Sequence, residues 1–129
     1  MDVSSADPTI PRKVLIADDE RVIADTLRTI LNQNGFEAIA VYDGQEAIEA
    51  ARAWPPEIFL SDVVMPGLNG IEAAIRISKM IPACHVVLFS GNIGTPDLRR
   101  EAALLGNDFD FLQKPVHPDE LLAHLRAIL

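Results

Sequence analysis

Five side chains in this sequence are of types that do chemistry together: Asp18, Asp19, Asp62, Ser90 and Lys114. Each comes directly, or one residue on, after a short apolar run. KVLIA (Lys13 to Ala17) leads into Asp18-Asp19, IFLS (Ile58 to Ser61) into Asp62, HVVLF (His85 to Phe89) into Ser90, and FDFL (Phe109 to Leu112), past Gln113, into Lys114. Brought together, they would hold a hard cation and handle a phosphoryl group. Two carboxylates about 5 Å apart repel by roughly 3 kcal/mol at an effective dielectric near 20, so three need a cation or a proton to offset them. A few carboxylate oxygens suit Mg²⁺, which keeps waters and takes phosphate oxygens as further ligands. The sequence has no EF-hand spacing for Ca²⁺ and no Cys/His set for zinc. An ionised aspartate is a nucleophile that needs no base, and its phosphoryl product is an aspartyl phosphate. Catalysis is then positioning and neutralisation, with the metal, Lys114 and Ser90 each taking one phosphoryl oxygen. Taken singly, each residue has a plainer reading: Asp18 or Asp19 as a helix cap, Ser90 as a turn residue, Lys114 as a surface charge.

The runs that carry these residues alternate with helical patterns. After Asp18-Asp19, the stripe Ile23, Leu27, Ile30, Leu31 predicts a helix over Glu20–Asn34 that Gly35 stops. Phe36–Val41 is a weaker strand suited to a sheet edge. Asp43 with Glu46, and Asn69 with Glu72, have capping-box spacing ahead of two further helices. Pro55-Pro56 and Pro82 break the chain between elements. Thr95-Pro96 opens a fourth helix that runs to Gly106, and His117-Pro118 opens the last, with Leu121, Leu122, Leu125 and Ile128 on its stripe. Five strands alternating with five helices predict an α/β fold: a parallel sheet with right-handed crossovers and helices on both faces. In such a sheet, ligands bind beyond the carboxyl ends of the strands, where strand order reverses. If the first and third strands are central neighbours, the five side chains meet there.

The chain has 129 residues, 49% of them hydrophobic and only 5% aromatic, enough for one domain with an aliphatic core. Its net charge of -8 argues against direct nucleic-acid binding. Cys84 is the only cysteine, which excludes an internal disulfide and suits a buried packing role. His85, His117 and His124 are scattered and read as structural or surface groups. Residues 1–11 read as a disordered leader with no signal-peptide character, and no apolar run reaches membrane-spanning length, so cytoplasmic residence is expected.

The pair Asp18-Asp19, DVVMPGLNG from Asp62, Ser90, and FLQKP from Phe111 together resemble the receiver domain of two-component response regulators. The resemblance runs from about Arg12 to Leu129. It implies a flavodoxin-like (βα)5 sandwich with strand order 2-1-3-4-5 and a domain over 12–129. It also implies that Asp62 is the phosphoacceptor. Asp19, Asp62 and the backbone carbonyl of Val64 would bind Mg²⁺ directly, and Asp18 mostly through water. Lys114 would contact the phosphoryl group, Ser90 would hydrogen-bond it, and the Lys114-Pro115 bond would be cis. The implied donor is a phosphohistidine on a sensor histidine kinase or histidine phosphotransfer protein. The implied output is a switched face of the fourth helix, fifth strand and last helix, read by a downstream effector protein or domain, with the chain a monomer or a phosphorylation-dependent dimer. On this reading the protein is not an enzyme: it promotes only its own phosphorylation and dephosphorylation. Two positions depart from the family pattern: Phe111 stands where Tyr is frequent, and Gly91 where Ala is. The alternative is a small Mg²⁺-dependent phosphatase-like hydrolase on the same fold, although the acidic pair lacks an aspartate-x-aspartate nucleophile and no lid is evident.

Overall fold

The structure, a computed structural model, describes residues 12–91 and 109–128. In chain order it has β1 (Arg12–Ala17), α1 (Arg21–Gln33), β2 (Phe36–Val41), α2 (Gly44–Ala53), β3 (Ile58–Asp62), α3 (Gly70–Met80), β4 (His85–Ser90), β5 (Asp110–Gln113) and α4 (Pro118–Ile128). The predicted leader and the predicted helix from Thr95 to Gly106 lie outside the described residues.

The strands form one parallel sheet in the order β2-β1-β3-β4-β5. The side-chain period of two splits each central strand between two cores. Leu15, Ala17, Phe59, Val86 and Leu88 face the layer of α2 and α3, with Ala47, Ile48, Ala51, Ile71, Ala74 and Ile77. Val14, Ile16, Ile58, Leu60, Val87 and Phe89 face the layer of α1 and α4, with Leu27, Leu31, Leu121 and Leu125. A fully buried Leu, Ile or Phe stabilises the fold by roughly 1.5–3 kcal/mol, so these two seams carry most of the stability. The acidic, aliphatic composition therefore builds its core from β1, β3 and β4, leaving β2 and β5 as the half-buried edges.

Local signals set the helix ends. Asp43 and Asn69 cap α2 and α3, their side chains accepting from the backbone N–H of Glu46 (2.7 Å) and Glu72 (2.9 Å). The return half of each box differs from the expected pattern. Glu46 accepts from the Tyr42 backbone N–H, one residue earlier than the cap, and Glu72 accepts from the Asn69 side-chain amide. Gly35, just beyond α1, has φ +89°, a left-handed conformation that costs glycine little. Neither Asp18 nor Asp19 caps α1; the cap position is Glu20.

Two glycines set how closely the helices approach the loop after β3. A Cβ at Gly44, the first residue of α2, would overlap the Leu68 carbonyl. One at Gly70, the first of α3, would overlap the carbonyl of Asp62 itself. The Gly70 N–H also donates to the Val63 carbonyl at 2.8 Å. The segment Val63–Asn69 is thus gripped by two helix starts, and buried Val63 and Met65 anchor it in the core.

Candidate functional site

β1 and β3 are direct neighbours, with Ala17 opposite Ser61, so their carboxyl ends deliver Asp18 and Asp62 side by side. Asp62 is the last residue of β3, paired with Phe89, rather than the first of the loop. The carboxylates of Asp18, Asp19 and Asp62 each offer an oxygen within 4.8 Å of the other two. Asp18 is fully buried, Asp62 nearly so, and Asp19 is exposed at the mouth. β5 ends one residue before Lys114, and its edge pairing with β4 brings the ammonium to 3.0 Å from Asp62 Oδ2 and 4.0 Å from Asp18 Oδ2. The Lys114 N–H donates to the Ser90 carbonyl, and Ser90 lies buried at the end of β4. The Lys114-Pro115 bond is cis, as the resemblance implies.

The charge in this cleft is unbalanced. At the 4.8 Å limit, each carboxylate pair repels by about 3.5 kcal/mol at an effective dielectric near 20. One ammonium faces three carboxylates. Asp18 shows the imbalance most. Burial pushes its carboxyl up to about 6, with Asp62 and Asp19 adding to the rise; the Glu20 N–H and Lys114 oppose it. Asp18 Oδ1 accepts from the Glu20 N–H at 2.9 Å, while its buried Oδ2 has no hydrogen-bond partner. The Lys114 ammonium at 4.0 Å is near enough to attract that oxygen but too far to hydrogen-bond it. An orphaned buried oxygen facing two other carboxylates is the donor chemistry that a hard divalent cation and its waters satisfy. Val64 exposes its side chain at the rim, and its N–H reaches only 3.4 Å from Asp62 Oδ1. Phe111, half-buried, packs against the α2–α3 core.

The sequence-predicted residues thus meet at one end of the sheet. Other groups found no place in that prediction. The Phe89 ring lies beneath the Lys114 ammonium, 5.5 Å from Nζ to the centroid. Beside it an apolar groove of about 490 Å³ runs between α1 and α4, lined by Val22, Ile23, Leu27, Phe89, Val116 and Leu121 among others. At the opposite end of the sheet, His85 and His124 both contact Asp110 Oδ2, at 2.7 and 3.3 Å. Burial of the Asp110 carboxyl, which raises its pKa, is outweighed by the two imidazoles, which hold it below the usual range. Two of the three histidines are therefore structural, tying β4 and β5 to α4. Burial pushes the Cys84 thiol up to about 12, consistent with packing rather than reactivity.

Compared with known proteins, residues 14–126 match the family described as the response regulator receiver domain. The chain belongs to that family. This receiver is 31% identical over 121 residues to the DNA-binding response regulator MtrA of Mycobacterium tuberculosis, covering 94% of this chain and 52% of MtrA. It is also 31% identical over 119 residues to the probable transcriptional regulatory protein TcrX of the same organism, covering 92% and 50%. The chain therefore spans about half the length of the curated relatives it matches. Among solved structures, chemotaxis protein CheY4 of Vibrio cholerae superposes with a TM-score of 0.85 at 26% identity, covering 93% of this receiver and all of CheY4. The receiver domain of the Francisella response regulator 1452 gives 0.77 at 30% identity, covering 91% and 95%. The flavodoxin-like sandwich and the two-component receiver reading both stand, and the phosphatase-like alternative finds no support in these matches. Among the described residues, no helix is long and apolar enough to cross a membrane.

Proposed function

We propose that Asp62 accepts a phosphoryl group from a phosphohistidine on a sensor histidine kinase or histidine phosphotransfer protein. The observation that carries this is the 3.0 Å pair of Asp62 with Lys114 beside two further carboxylates. Mg²⁺ is the group this donor set fits, with Asp19, Asp62 and the Val64 carbonyl as direct ligands and Asp18 acting mostly through water. Bound there, it would neutralise charge on the phosphoryl oxygens. The chain's own residues do the rest. Asp62 presents its carboxylate from the end of a rigid strand as the nucleophile, and the phosphorus–leaving-group bond breaks as the carboxylate–phosphorus bond forms. Lys114 passes from the carboxylate to a phosphoryl oxygen, and Ser90 donates its hydroxyl to another. The protein promotes only its own phosphorylation and dephosphorylation.

The signal leaves through Ser90 and Phe111. Ser90 moves toward the phosphoryl oxygen, Phe111 turns inward, and the face containing β5 and α4 changes shape for a downstream effector protein or domain. One charge-assisted hydrogen bond supplies about 1.5–3 kcal/mol, whereas moving a population from 1:99 to 99:1 takes about 5.5. The active state is therefore already partly populated, or partner binding adds the remainder. Direct nucleic-acid contact is not part of this function, given the net charge of -8. The location proposed is the cytoplasm.

The test is incubation with acetyl phosphate and Mg²⁺, followed by intact mass. One phosphoryl adduct is expected, absent in Asp62→Asn. Turnover of a free phosphoester without any adduct would overturn the proposal.

A further inference from the structure

We infer that Phe89 is a positioning residue for Lys114, holding its ammonium over the cleft through the face of an aromatic ring. Phe89 lies on β4, between β3, which ends at Asp62, and β5, which leads to Lys114. Its carbonyl accepts from the Val63 N–H at 3.1 Å, next to Asp62, and the Lys114 N–H donates to the following residue's carbonyl, that of Ser90, at 3.0 Å. Its ring lies 5.5 Å from Lys114 Nζ, within the range in which the negative ring face attracts a cation. Phe89 is 1% exposed and the Lys114 side chain 26%, so the attraction operates in a partly desolvated cleft, where it is stronger than at an open surface.

The chemistry favours a ring at this point. The cleft already holds three carboxylates, and a fourth anionic partner would add to their repulsion. A hydrogen-bond acceptor would also capture one of the ammonium's N–H groups. A ring face does neither. It draws the cation without fixing its donors, leaving them free to pass from the Asp62 carboxylate to an incoming phosphoryl oxygen. The apolar groove between α1 and α4 is lined by both Phe89 and Lys114 and opens beside the ring.

The role of Lys114 in phosphoryl transfer rests on the proposed function; the placement of its ammonium by the ring does not. Three variants test the inference: Phe89→Leu, which removes the ring; Phe89→Tyr, which keeps it and can direct the hydroxyl into the groove; and Phe59→Leu, which makes the same loss in the opposite core, where Phe59 is also fully buried. Proton NMR of the Lys114 ε-methylene reads ring shielding, and acetyl phosphate labelling with Mg²⁺ reads rate. In Phe89→Leu the ε-protons lose their shielding. The maximal phosphorylation rate falls about two- to fivefold, the equivalent of an exposed-to-half-buried cation–π contact, while the half-saturating donor concentration holds. Phe89→Tyr keeps both properties, and Phe59→Leu changes neither. If Phe89→Leu does not fold, unshielded ε-protons in the unmutated protein, or their loss of shielding in Phe89→Tyr, overturn the inference. Equal rate losses in Phe89→Leu and Phe59→Leu also overturn it. If the unmutated protein forms no adduct at Asp62, the proposed function fails, and the shielding measurement still decides this inference.

Discussion

Asp18→Asn should make the metal-free protein more stable, by an amount that depends on pH. Asp18 Oδ2 is buried without a hydrogen-bond partner, and burial with two carboxylate neighbours raises the group from its ordinary 3.8 to about 6. A carboxyl whose folded pKa lies above its unfolded value binds its proton more tightly when folded. Between those two values the folded state carries more protons than the unfolded state, so stability falls as pH rises. The loss is complete above about pH 6 and amounts to about 3 kcal/mol, at 1.36 kcal/mol per tenfold change in proton affinity. Asparagine keeps the oxygen that accepts from Glu20 and replaces the orphaned one with an uncharged donor. Its advantage in urea unfolding with a chelator present should be near zero at pH 4, grow through pH 5, and approach about 3 kcal/mol at pH 7.5, a figure that already contains the opposing attraction of Lys114. Added Mg²⁺ should narrow the difference, because the variant leaves only Asp19 and Asp62 to balance the cation. A stability difference independent of pH, or a destabilised variant at pH 7.5 under chelation, would refute the account of the cleft as charge-frustrated.

The same cleft predicts that millimolar Mg²⁺ raises the urea midpoint of the unmutated protein, and that Asp62→Asn loses most of the gain; an equal gain in both would place the cation elsewhere. Gly70→Ala should cost about 1–3 kcal/mol, since its methyl overlaps the Asp62 carbonyl. Gly91→Ala, whose new Cβ meets nothing among the described residues, should stay within about 0.5 kcal/mol; denaturant titrations of the pair check both. Asp43→Ala should cost about 1 kcal/mol through the lost cap of α2, read as an earlier thermal transition. Leu121→Ala, at a fully buried position of α4, should cost about 2–5 kcal/mol in the same assay.

Much of this was readable in the chain because its signals are local. KVLIA, FEAIAV, IFLS and HVVLF stand out as strands since the central ones are buried on both faces and need no alternation. The edge character of Phe36–Val41 showed in its glutamate and alanines, and Asp43 and Asn69 announced their helices by spacing. Strand ends then implied the site, because a parallel sheet delivers every carboxyl end to one side. What stayed hidden depends on contacts between distant stretches. Glu46 and Glu72 found nearer donors than the backbone N–H of their caps, which depends on how each loop enters its helix. FDFL began a strand one residue later than its first phenylalanine, and its aspartate met two histidines that look unrelated in sequence. Nothing around Phe89 marks it as facing Lys114, since an aromatic in a buried run reads only as core. The overlaps that forbid a side chain at Gly44 and Gly70 are likewise invisible until the helices are placed.

Those two glycines also decide which half of the domain is stiff. With α2 resting on the Leu68 carbonyl and α3 on that of Asp62, the flank carrying both helices behaves as a single block welded to the Asp62 main chain. A push generated at the carboxylate cannot be absorbed on that flank without breaking backbone contacts. Its mechanical outlet is across the sheet, toward the edge strand β5, where half-exposed side chains offer the least resistance.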